Sequence, residues 1–208
     1  MLRIDPVRPD FATLDRAREL LLRGKVVVAP TETRYGLLTR ADEQRFVDQL
    51  YRLKGRDQTK ATAILVRNLA EAEDLGELSP QAKLLARHFL PGPLTLVVRA
   101  RKDWSAPRVV EGKIGLRWSS SPVIQGLLDR TEWPLTATSA NVSGQADAEV
   151  VEEIVSIFGN RVGAYLDAGP LTGRTSTVVD CSTQRAQLLR EGVIAREEIE
   201  RVLGIVNE

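Results

Sequence analysis

The chain has 208 residues, of which 43% are hydrophobic and 27% charged, with 29 Lys and Arg against 28 Asp and Glu. This length suffices for one sizeable core, and the composition is that of an ordinary globular protein, which argues against a disordered chain. The near-zero net charge gives no reason to expect indiscriminate binding to nucleic acid or to an anionic membrane.

The rare residue types restrict the chemistry further. Cys181 is the only cysteine, so no intramolecular disulfide can form, and a reducing compartment is expected. His88 is the only histidine, and we interpret it as a helix-end or partly buried residue rather than a catalytic one. The N-terminus lacks an apolar signal core, and no run approaches the roughly 18–20 apolar residues of a membrane span. These features predict a cytoplasmic protein without a membrane contact.

Helices and strands alternate in the first half of the chain. Asp10 can cap an amphipathic helix that Gly24 ends, and Ser79-Pro80 has the pattern of a helix start. The predicted elements are a helix over 10–24, a strand over 25–29, a loop over 30–41, a helix over 42–53, a strand over 62–66, a helix from 79, and strands over 94–99 and 113–118.

Strands cluster in the second half. The predicted elements are a short helix over 121–128, a strand over 134–139, a helix over 149–158, strands over 163–167, 175–180 and 186–190, and a helix over 195–203. The pattern predicts one α/β domain over 1–208, with a motif-bearing core over about 10–195. We expect a twisted sheet of mixed parallel and antiparallel strands, helices packed on it, and a ligand cleft at the strand ends.

Two polar segments in the first half could bind a ligand. PTETRYGL (30–37) follows a buried strand and offers the hydroxyls of Thr31 and Thr33, although an ordinary turn would also use them. LKGRDQTK (53–60) places Lys54, Arg56 and Lys60 within seven residues. Such cations suit a polyphosphate, but a solvated helix end has the same composition.

Two more polar segments follow in the second half. IGLRW (114–118) ends an apolar strand with Arg117, which must pair with a ligand carboxylate, a phosphate or an internal acidic residue. TATSANVSG (136–144) is rich in hydroxyls and amides and closes on Gly144. This composition favours a loop of donors around an anion, with an Asx or Ser turn as the alternative.

Together with GRTSTVVD (173–180) and LLREGVI (188–194), these segments resemble the YrdC family of threonylcarbamoyl-AMP synthases. PTETRYGL is similar to the family's PTETVYGL, LKGR has its Lys-x-Arg element, and SANVSG has its Ser-x-Asn element. LPGPLTLVV, IGLRW, STVVD and LLREG are similar to further family blocks, in the family's order. The resemblance runs from about residue 26 to residue 194.

The resemblance implies a YrdC/RibB-like fold and an enzyme, a nucleotidyltransferase. Its reaction forms threonylcarbamoyl-AMP from L-threonine, bicarbonate or CO2, and ATP, and it releases pyrophosphate. This is the first step of N6-threonylcarbamoyladenosine formation in tRNA, so a downstream tRNA threonylcarbamoyltransferase is an implied partner. Mg²⁺ is expected with the ATP, held by phosphate oxygens and water, and no metal ligand is predicted in the chain.

The resemblance also implies roles for individual residues. The implied catalytic residues are Lys54, Arg56, Ser139 and Asn141. The implied nucleotide-binding residues are Arg56, Lys60, Ser139, Ser143 and Arg190. The implied threonine-binding residues are Thr33, Arg117 and Ser176.

Several positions depart from the family's usual residues and leave the amino-acid substrate open. They are Arg34, Asp57, Lys60-Ala61, Leu65, Trp118-Ser119 and Asp147. A same-fold paralogue that acts on a different carbamate or amino acid is therefore one alternative. An RNA-binding protein is another, with weak RNA binding on a concave basic surface. The carbamoyl-adenylate domain of hydrogenase-maturation carbamoyltransferases is disfavoured, because those proteins carry zinc-finger and acylphosphatase modules.

Overall fold

The computed structural model of the protein describes residues 1–101 and 108–205. The helices are α1 (Phe11–Leu22), α2 (Gln44–Lys54), α3 (Leu69–Leu75), α4 (Pro80–Phe89), α5 (Pro122–Leu128), α6 (Val151–Phe158) and α7 (Arg196–Leu203). The strands are β1 (Leu2–Arg3), β2 (Val27–Pro30), β3 (Tyr35–Leu38), β4 (Ala63–Leu65), β5 (Gly76–Glu77), β6 (Leu94–Ala100), β7 (Val109–Val110), β8 (Lys113–Arg117), β9 (Leu135–Ser139), β10 (Ala164–Asp167), β11 (Thr177–Asp180) and β12 (Gln187–Arg190).

The strands form one mixed sheet in the order β1-β10-β2-β3-β9-β4-β8-β6-β11-β12, with β5 beside β6 and β7 beside β8. The pairs β1–β10, β2–β10, β4–β8 and β6–β11 are parallel, and the other pairs are antiparallel. The sheet combines strands from both halves of the chain, so the predicted single α/β domain with a mixed sheet is confirmed.

Helix starts follow the sequence signals. Asp10 caps α1 by accepting a hydrogen bond from the Thr13 amide at 2.8 Å. Ser79 and Ser121 cap α4 and α5, and a proline follows each of them at the first helical position. Because a proline there gives up an amide that has no helical partner anyway, these starts were predictable from the sequence.

Three apolar clusters attach the helices to the sheet. Helices α1 and α5 pack with β2, β4 and β9, whereas α2 and α6 cover the other side of β2 and β3. Helices α3, α4 and α7 pack on β6, β8 and β11. One face of the β4–β8–β6 region is therefore covered by helices, and the opposite face is available for a cleft.

The segment after β2 differs from its prediction. Residues 30–41 were expected to form a loop, but Tyr35–Leu38 returns as β3, antiparallel to β2. The reversal needs only residues 31–34, where the Thr31 amide and hydroxyl both donate to the Arg34 carbonyl, at 3.2 and 2.7 Å. Sequence reasoning missed this hairpin because its turn lacks the usual Asn-Gly or Asp-Gly signature. It also missed α3 and the short strands β1, β5 and β7.

Two further features concern membrane crossing and the single cysteine. No helix in the described part of the chain has the length and apolarity that crossing a membrane requires. Cys181 is a free, buried cysteine directly after β11, and burial raises the pKa of its thiol to about 12, with a smaller contribution from the neighbouring Asp180 carboxylate.

Candidate active site

A cleft of about 440 Å³ crosses the uncovered face of the sheet. Its floor consists of small residues at alternate strand positions: Gly36, Ala63, Gly115 and Ala137. The residues between them, such as Ile64 and Ile114, point into the core on the opposite face. Since alternate side chains of a strand face opposite sides, small floor residues create the cleft. The cleft therefore extends over the strands themselves, beyond the strand ends where it was expected.

Arg117 ends β8 and is held by the β2–β3 turn, which we define as residues 31–34. Its Nη2 donates to Glu32 Oε1 at 2.9 Å and to Thr33 Oγ1 at 2.8 Å, with a longer contact of 3.4 Å to Thr31 Oγ1. Arg117 is 8% exposed and lines the cleft, and its Nε has no hydrogen-bond partner among the described residues. The internal acidic partner considered for Arg117 is thus present as Glu32.

The hydroxyls of Thr31 and Thr33 form most of their hydrogen bonds within the β2–β3 turn. Thr31 Oγ1 donates to the Arg34 carbonyl, accepts from the amides of Thr33 and Arg34 at 3.1 and 3.2 Å, and lies 3.0 Å from Thr33 Oγ1. Thr33 Oγ1 accepts from Arg117. Because a hydroxyl has two acceptor positions, Thr33 can still accept one hydrogen bond from a ligand.

Lys54, the last residue of α2, is buried below the cleft. It is 1% exposed, and its Nζ donates to the Ser139 carbonyl and, at 2.9 Å each, to the carbonyl and the side-chain Oδ1 of Asn141. Burial, and to a smaller extent the Arg56 charge, lower the pKa of Lys54 to about 7, whereas Asp147 acts in the opposite direction. Three donors meet three oxygens, so Lys54 fixes the turn that follows β9.

The side-chain donors of the turn after β9 bond to other residues of the same turn. The sequence had instead predicted a loop of donors around an anion. The Ser139 hydroxyl donates to Asn141 Oδ1 at 2.7 Å, and Asn141 Nδ2 donates to the Gln145 carbonyl at 2.6 Å. The Ser143 amide donates to the Lys54 carbonyl at 3.0 Å. The reason is the buried Lys54 ammonium, which orients the acceptors of this turn toward itself. Ser139 faces the cleft with acceptor positions.

Arg56 follows α2 at a turn that Gly55 makes possible. Gly55 has φ = 59°, a left-handed conformation that suits glycine and ends the helix. Arg56 then lines the cleft, where Nη2 donates to the Ala61 carbonyl at 2.8 Å and Nη1 to Thr138 Oγ1 at 3.3 Å. Its guanidinium also lies 5.7 Å from the ring centroid of Tyr51.

Arg190 and Ser176 form the opposite wall of the cleft. Arg190 donates from Nε and Nη2 to the Ser176 carbonyl, at 3.1 and 2.9 Å, and from Nη2 to the Ser176 hydroxyl at 3.1 Å. A Cβ on Gly192 would lie 2.1 Å from the Thr175 carbonyl oxygen. Only glycine therefore permits the chain after β12 to pass so close to Thr175. The glycine after Arg190 in LLREG therefore has a steric function.

Three of the four arginines that line the cleft, Arg56, Arg117 and Arg190, interact electrostatically. Burial lowers the pKa of Arg190, and the charges of Arg117 and Arg56 lower it further, whereas Asp147 opposes them. The repulsion between these guanidinium groups would be relieved by an anion that binds between them. The cleft is thus a cationic site with Asp147 as a partial counterion.

The structure places the predicted site residues in two groups. Those that line the cleft are Thr33, Arg56, Arg117, Ser139, Ser176 and Arg190. Those that lie outside its lining are Lys54, Lys60, Asn141 and Ser143. Lys54 and Asn141 are buried and act on Ser139, whereas the Lys60 side chain is exposed. Leu65, one of the departures from the family pattern, is fully buried in the core beside α1 and α5.

Sequence reasoning missed several cleft residues. Thr95 Oγ1 lies 3.3 Å from Ser176 Oγ, and Lys113 Nζ binds Asp180 Oδ2 at 2.9 Å at the β6–β8–β11 end of the cleft. The available signal was alternation: Gly115 stands between Ile114 and Leu116, with Lys113 and Arg117 on the same face as the glycine. Small or polar residues alternating with large apolar ones indicate a strand with one open face.

A protein-bound metal is not favoured by the donor set. In the described ranges no group of three or more His, Cys, Asp or Glu could hold a metal ion. Asp147 and Asp180 line the cleft, but Asp180 is paired with Lys113. The described residues of the cleft therefore offer no donor set for a resident metal.

The fold and the cleft define an α/β protein with a cationic site for anionic ligands. Residues 19–192 match the sequence profile of the Sua5/YciO/YrdC family, described as "Telomere recombination". The chain belongs to this family.

Two relatives and one solved structure show the extent of the similarity. The threonylcarbamoyl-AMP synthase of Bacillus subtilis is 34% identical over 207 residues, covering 98% of this chain and 60% of that protein. The threonylcarbamoyl-AMP synthase of Vibrio vulnificus is 32% identical over 191 residues, covering 87% of this chain and 99% of that protein. The structure of Pyrococcus abyssi Sua5 complexed with L-threonine has a TM-score of 0.90 at 30% identity, covering 99% of this chain and 61% of that one. The chain thus spans about 60% of the length of the Bacillus and Pyrococcus proteins.

Proposed function

We propose that the protein is an enzyme that makes threonylcarbamoyl-AMP from L-threonine, bicarbonate or CO2, and ATP, and releases pyrophosphate. The observation that carries this proposal is the convergence of Arg56, Arg117 and Arg190 on one cleft. The carbamate of threonine and ATP are both anions, so a cleft that brings them together must offset their repulsion. The names of the Bacillus and Vibrio relatives and the ligand of Pyrococcus Sua5 support the same reaction.

The amino acid would bind at the β2–β3 turn. Arg117 is buried, lines the cleft and has donors left for a carboxylate. Thr33 beside it has one acceptor position left, which suits the amine or hydroxyl of threonine. A cation and an acceptor at this spacing fit the two polar ends of an α-amino acid.

The nucleotide would bind between Arg56 and Arg190. Arg56 reaches the cleft from the α2–β4 loop, and Arg190 and Ser176 from the opposite wall. Planar guanidinium groups match phosphate oxygens in pairs, which favours a polyphosphate in this position. Lys54 and Asn141 would act by holding Ser139, and Lys60 by its charge at the rim.

The reaction needs alignment more than a protein nucleophile. The amine of threonine adds to CO2 and loses a proton, which gives a carbamate. If bicarbonate is the source, its hydroxide takes up this proton and leaves as water. A carbamate oxygen then forms a bond to the α-phosphorus of ATP. The bond from that phosphorus to the oxygen bridging the β-phosphate breaks, and pyrophosphate leaves with this oxygen. Fixed cations near both anions stabilise the charge that moves to the leaving group.

Further parts of the proposal concern the surroundings of the enzyme. Mg²⁺ would enter as the ATP complex and belongs to the substrate. The product would pass to a transferase that modifies an adenosine of tRNA, and weak RNA binding by this chain stays a prediction. The free thiol of Cys181 fits a reducing compartment, so the cytoplasm is the proposed location.

Mass spectrometry of the product tests the reaction directly. Purified protein is incubated with ATP, bicarbonate and L-threonine, and pyrophosphate is measured in parallel. We expect a threonylcarbamoyl-adenylate that is absent without bicarbonate. Pyrophosphate release with a different amino acid, and not with threonine, would favour the same-fold paralogue. Salt-sensitive RNA binding without any pyrophosphate release would favour the RNA-binding alternative.

Arg56→Ala tests the arginine cleft. Because Arg56 is a fixed donor next to the proposed phosphates, its loss should reduce kcat by about 100–1,000-fold. Ser139→Ala should have an effect of the same order. Arg52→Ala is a matched control, since Arg52 is an exposed arginine in the last turn of α2 that does not line the cleft. Wild-type activity in Arg56→Ala would refute the assignment.

A further inference from the structure

The carboxylate of Glu32 connects two chain segments at the amino-acid end of the cleft. Oε1 accepts from Arg117 Nη2 at 2.9 Å, and Oε2 accepts from the hydroxyl of Ser119. Ser119 is fully buried, and its Oγ also accepts from the Ser121 amide at 3.2 Å. The β2–β3 turn is therefore fastened to the segment after β8 through both oxygens of one carboxylate.

Only one of the three guanidinium nitrogens of Arg117 is used for hydrogen bonds to the described residues. Every hydrogen bond that it makes to a described residue starts at Nη2, whereas Nη1 and Nε make none. A planar guanidinium that is held at Nη2 has a fixed orientation, and both hydrogens of its Nη1 remain for an oxygen of a ligand carboxylate. A ligand carboxylate can therefore bind Arg117 without displacing Glu32.

We propose that Glu32 and Ser119 are positioning residues that hold the Arg117 guanidinium ready for the carboxylate of the substrate. This inference rests on the proposed function. Two roles are open to a carboxylate beside a substrate-binding arginine: it can compete with the substrate or it can orient the arginine. The anchoring of both Glu32 oxygens selects the second role, because a competitor would have to give up two hydrogen bonds and leave Ser119 unpaired.

Preorganisation explains why the enzyme keeps an acidic residue at a site for an anion. Glu32 reduces the net attraction of Arg117 for a carboxylate, but the charges of Arg56 and Arg190 maintain a positive cleft. In return, the substrate does not have to order a long flexible side chain when it binds. Ser119 also explains a departure from the family pattern, since a hydroxyl here adds a hydrogen bond that proline could not make.

The two roles predict opposite signs for Glu32→Gln. Glutamine keeps the size of Glu32 but has no charge and only one acceptor oxygen for Arg117 and Ser119. If Glu32 orients Arg117, the KM for threonine should rise about tenfold, with the KM for ATP within about twofold, as expected for the loss of a hydrogen bond to a charged group. Ser119→Ala leaves the Arg117–Glu32 pair intact and should raise the KM for threonine about threefold. A lower or unchanged KM for threonine in Glu32→Gln would overturn the proposal.

Glu71→Gln is the matched control for a general loss of stability. Glu71 binds Arg67 Nη2 at 2.9 Å, and its side chain is 15% exposed against 14% for Glu32. Neither Arg67 nor Glu71 lines the cleft. Both variants should lose similar thermal stability, but only Glu32→Gln should change the KM for threonine. An equal change in both variants would contradict a positioning role.

Calorimetric titration with L-threonine, without ATP, separates this inference from the proposed function. Wild-type protein that binds threonine but forms no adenylate would overturn the proposed function, while the affinity of Glu32→Gln would still decide the role of Glu32. Weaker binding by Glu32→Gln supports the positioning role, and tighter binding overturns it. If the wild type binds no threonine, both proposals fail.

Discussion

The β2–β3 turn and the α2–β4 loop (residues 55–62) reach the same cleft but are built in opposite ways. The turn is held by long-range bonds: Arg117 contacts three of its side chains, and Arg34 donates to Glu149 and to the Leu171 carbonyl, at 3.1 and 2.8 Å. The loop is exposed over 57–61 and is held mostly by short-range bonds, such as Asp57 to the Thr59 amide at 2.8 Å.

The β2–β3 turn therefore has a more fixed geometry than the α2–β4 loop. An amino acid is small, so a few buried groups must recognise it, and buried polar groups require complete partners. A triphosphate is large and charged, so cations on an exposed loop can contribute over a longer distance. We therefore expect changes in the turn to have larger effects on substrate affinity than changes in the exposed part of the loop, residues 57–61.

Arg117→Lys should cause the largest loss of affinity for threonine. A lysine has one nitrogen, which cannot donate to Glu32 and Thr33 and also hold a carboxylate as a second, fixed nitrogen does, and Glu32 would become poorly paired. We expect kcat/KM for threonine to fall about 100-fold, with a much smaller change in the KM for ATP. Steady-state kinetics of pyrophosphate release with each substrate varied in turn measures this split. Equal losses for both substrates would mean that the two ends of the cleft are not separate.

Lys54 directly precedes the loop, and its burial predicts a pH effect on stability. Its pKa is about 7 in the folded protein, against 10.5 for an ordinary lysine. Between these values the unfolded chain binds more protons, so the free energy of unfolding should rise with pH, by at most about 1.4 kcal/mol per pH unit. The contribution is complete above about pH 10.5 and is lost as the pH falls through 7.

Lys54→Met is the control for this titration. Urea unfolding of both proteins across this pH range gives the two slopes. Methionine has no proton to lose, so the slope of the variant should be smaller than that of the wild type. Identical slopes would mean that Lys54 keeps its proton throughout, and the three oxygens around Nζ would then outweigh burial.

Lys60→Ala should have the smallest effect. Lys60 is exposed, and the interaction that anchors it uses its carbonyl, which accepts from the Tyr51 hydroxyl at 2.6 Å. An exposed charge contributes little through water, so we expect the KM for ATP to rise about twofold, and less at high salt. A tenfold or larger rise would show that the loop closes on the nucleotide, and the comparison between turn and loop would have to be revised.

Much of the fold was predictable because its signals are local. The caps at Asp10, Ser79 and Ser121 and the apolar runs of β2, β6 and β8 each depend on a few adjacent residues. The hairpin at residues 31–34 was not, because a hydroxyl of Thr31 replaces the glycine or asparagine that normally marks such a turn. The short strands β1, β5 and β7 form only through pairing with distant partners.

The candidate site, like the fold, was only partly predictable from the sequence. The residue types at Thr33, Arg56, Arg117 and Arg190 predict an anion site, and the structure brings these four into one cleft. The sequence could not reveal that Lys54 is buried below Ser139, since this depends on α2 packing beside the turn after β9. Nor could it reveal that Arg117 pairs with Glu32, because 85 residues separate them along the chain.

The buried Cys181 gives the protein an internal reporter of strand opening. Its thiol is protonated and shielded, so a disulfide reagent can reach it only when the end of β11 separates from its neighbours. The chain has no other cysteine, so each labelled molecule records one such event. Because Asp180 precedes the thiol and lines the cleft, the labelling rate measures how firmly that wall is closed, without any introduced probe.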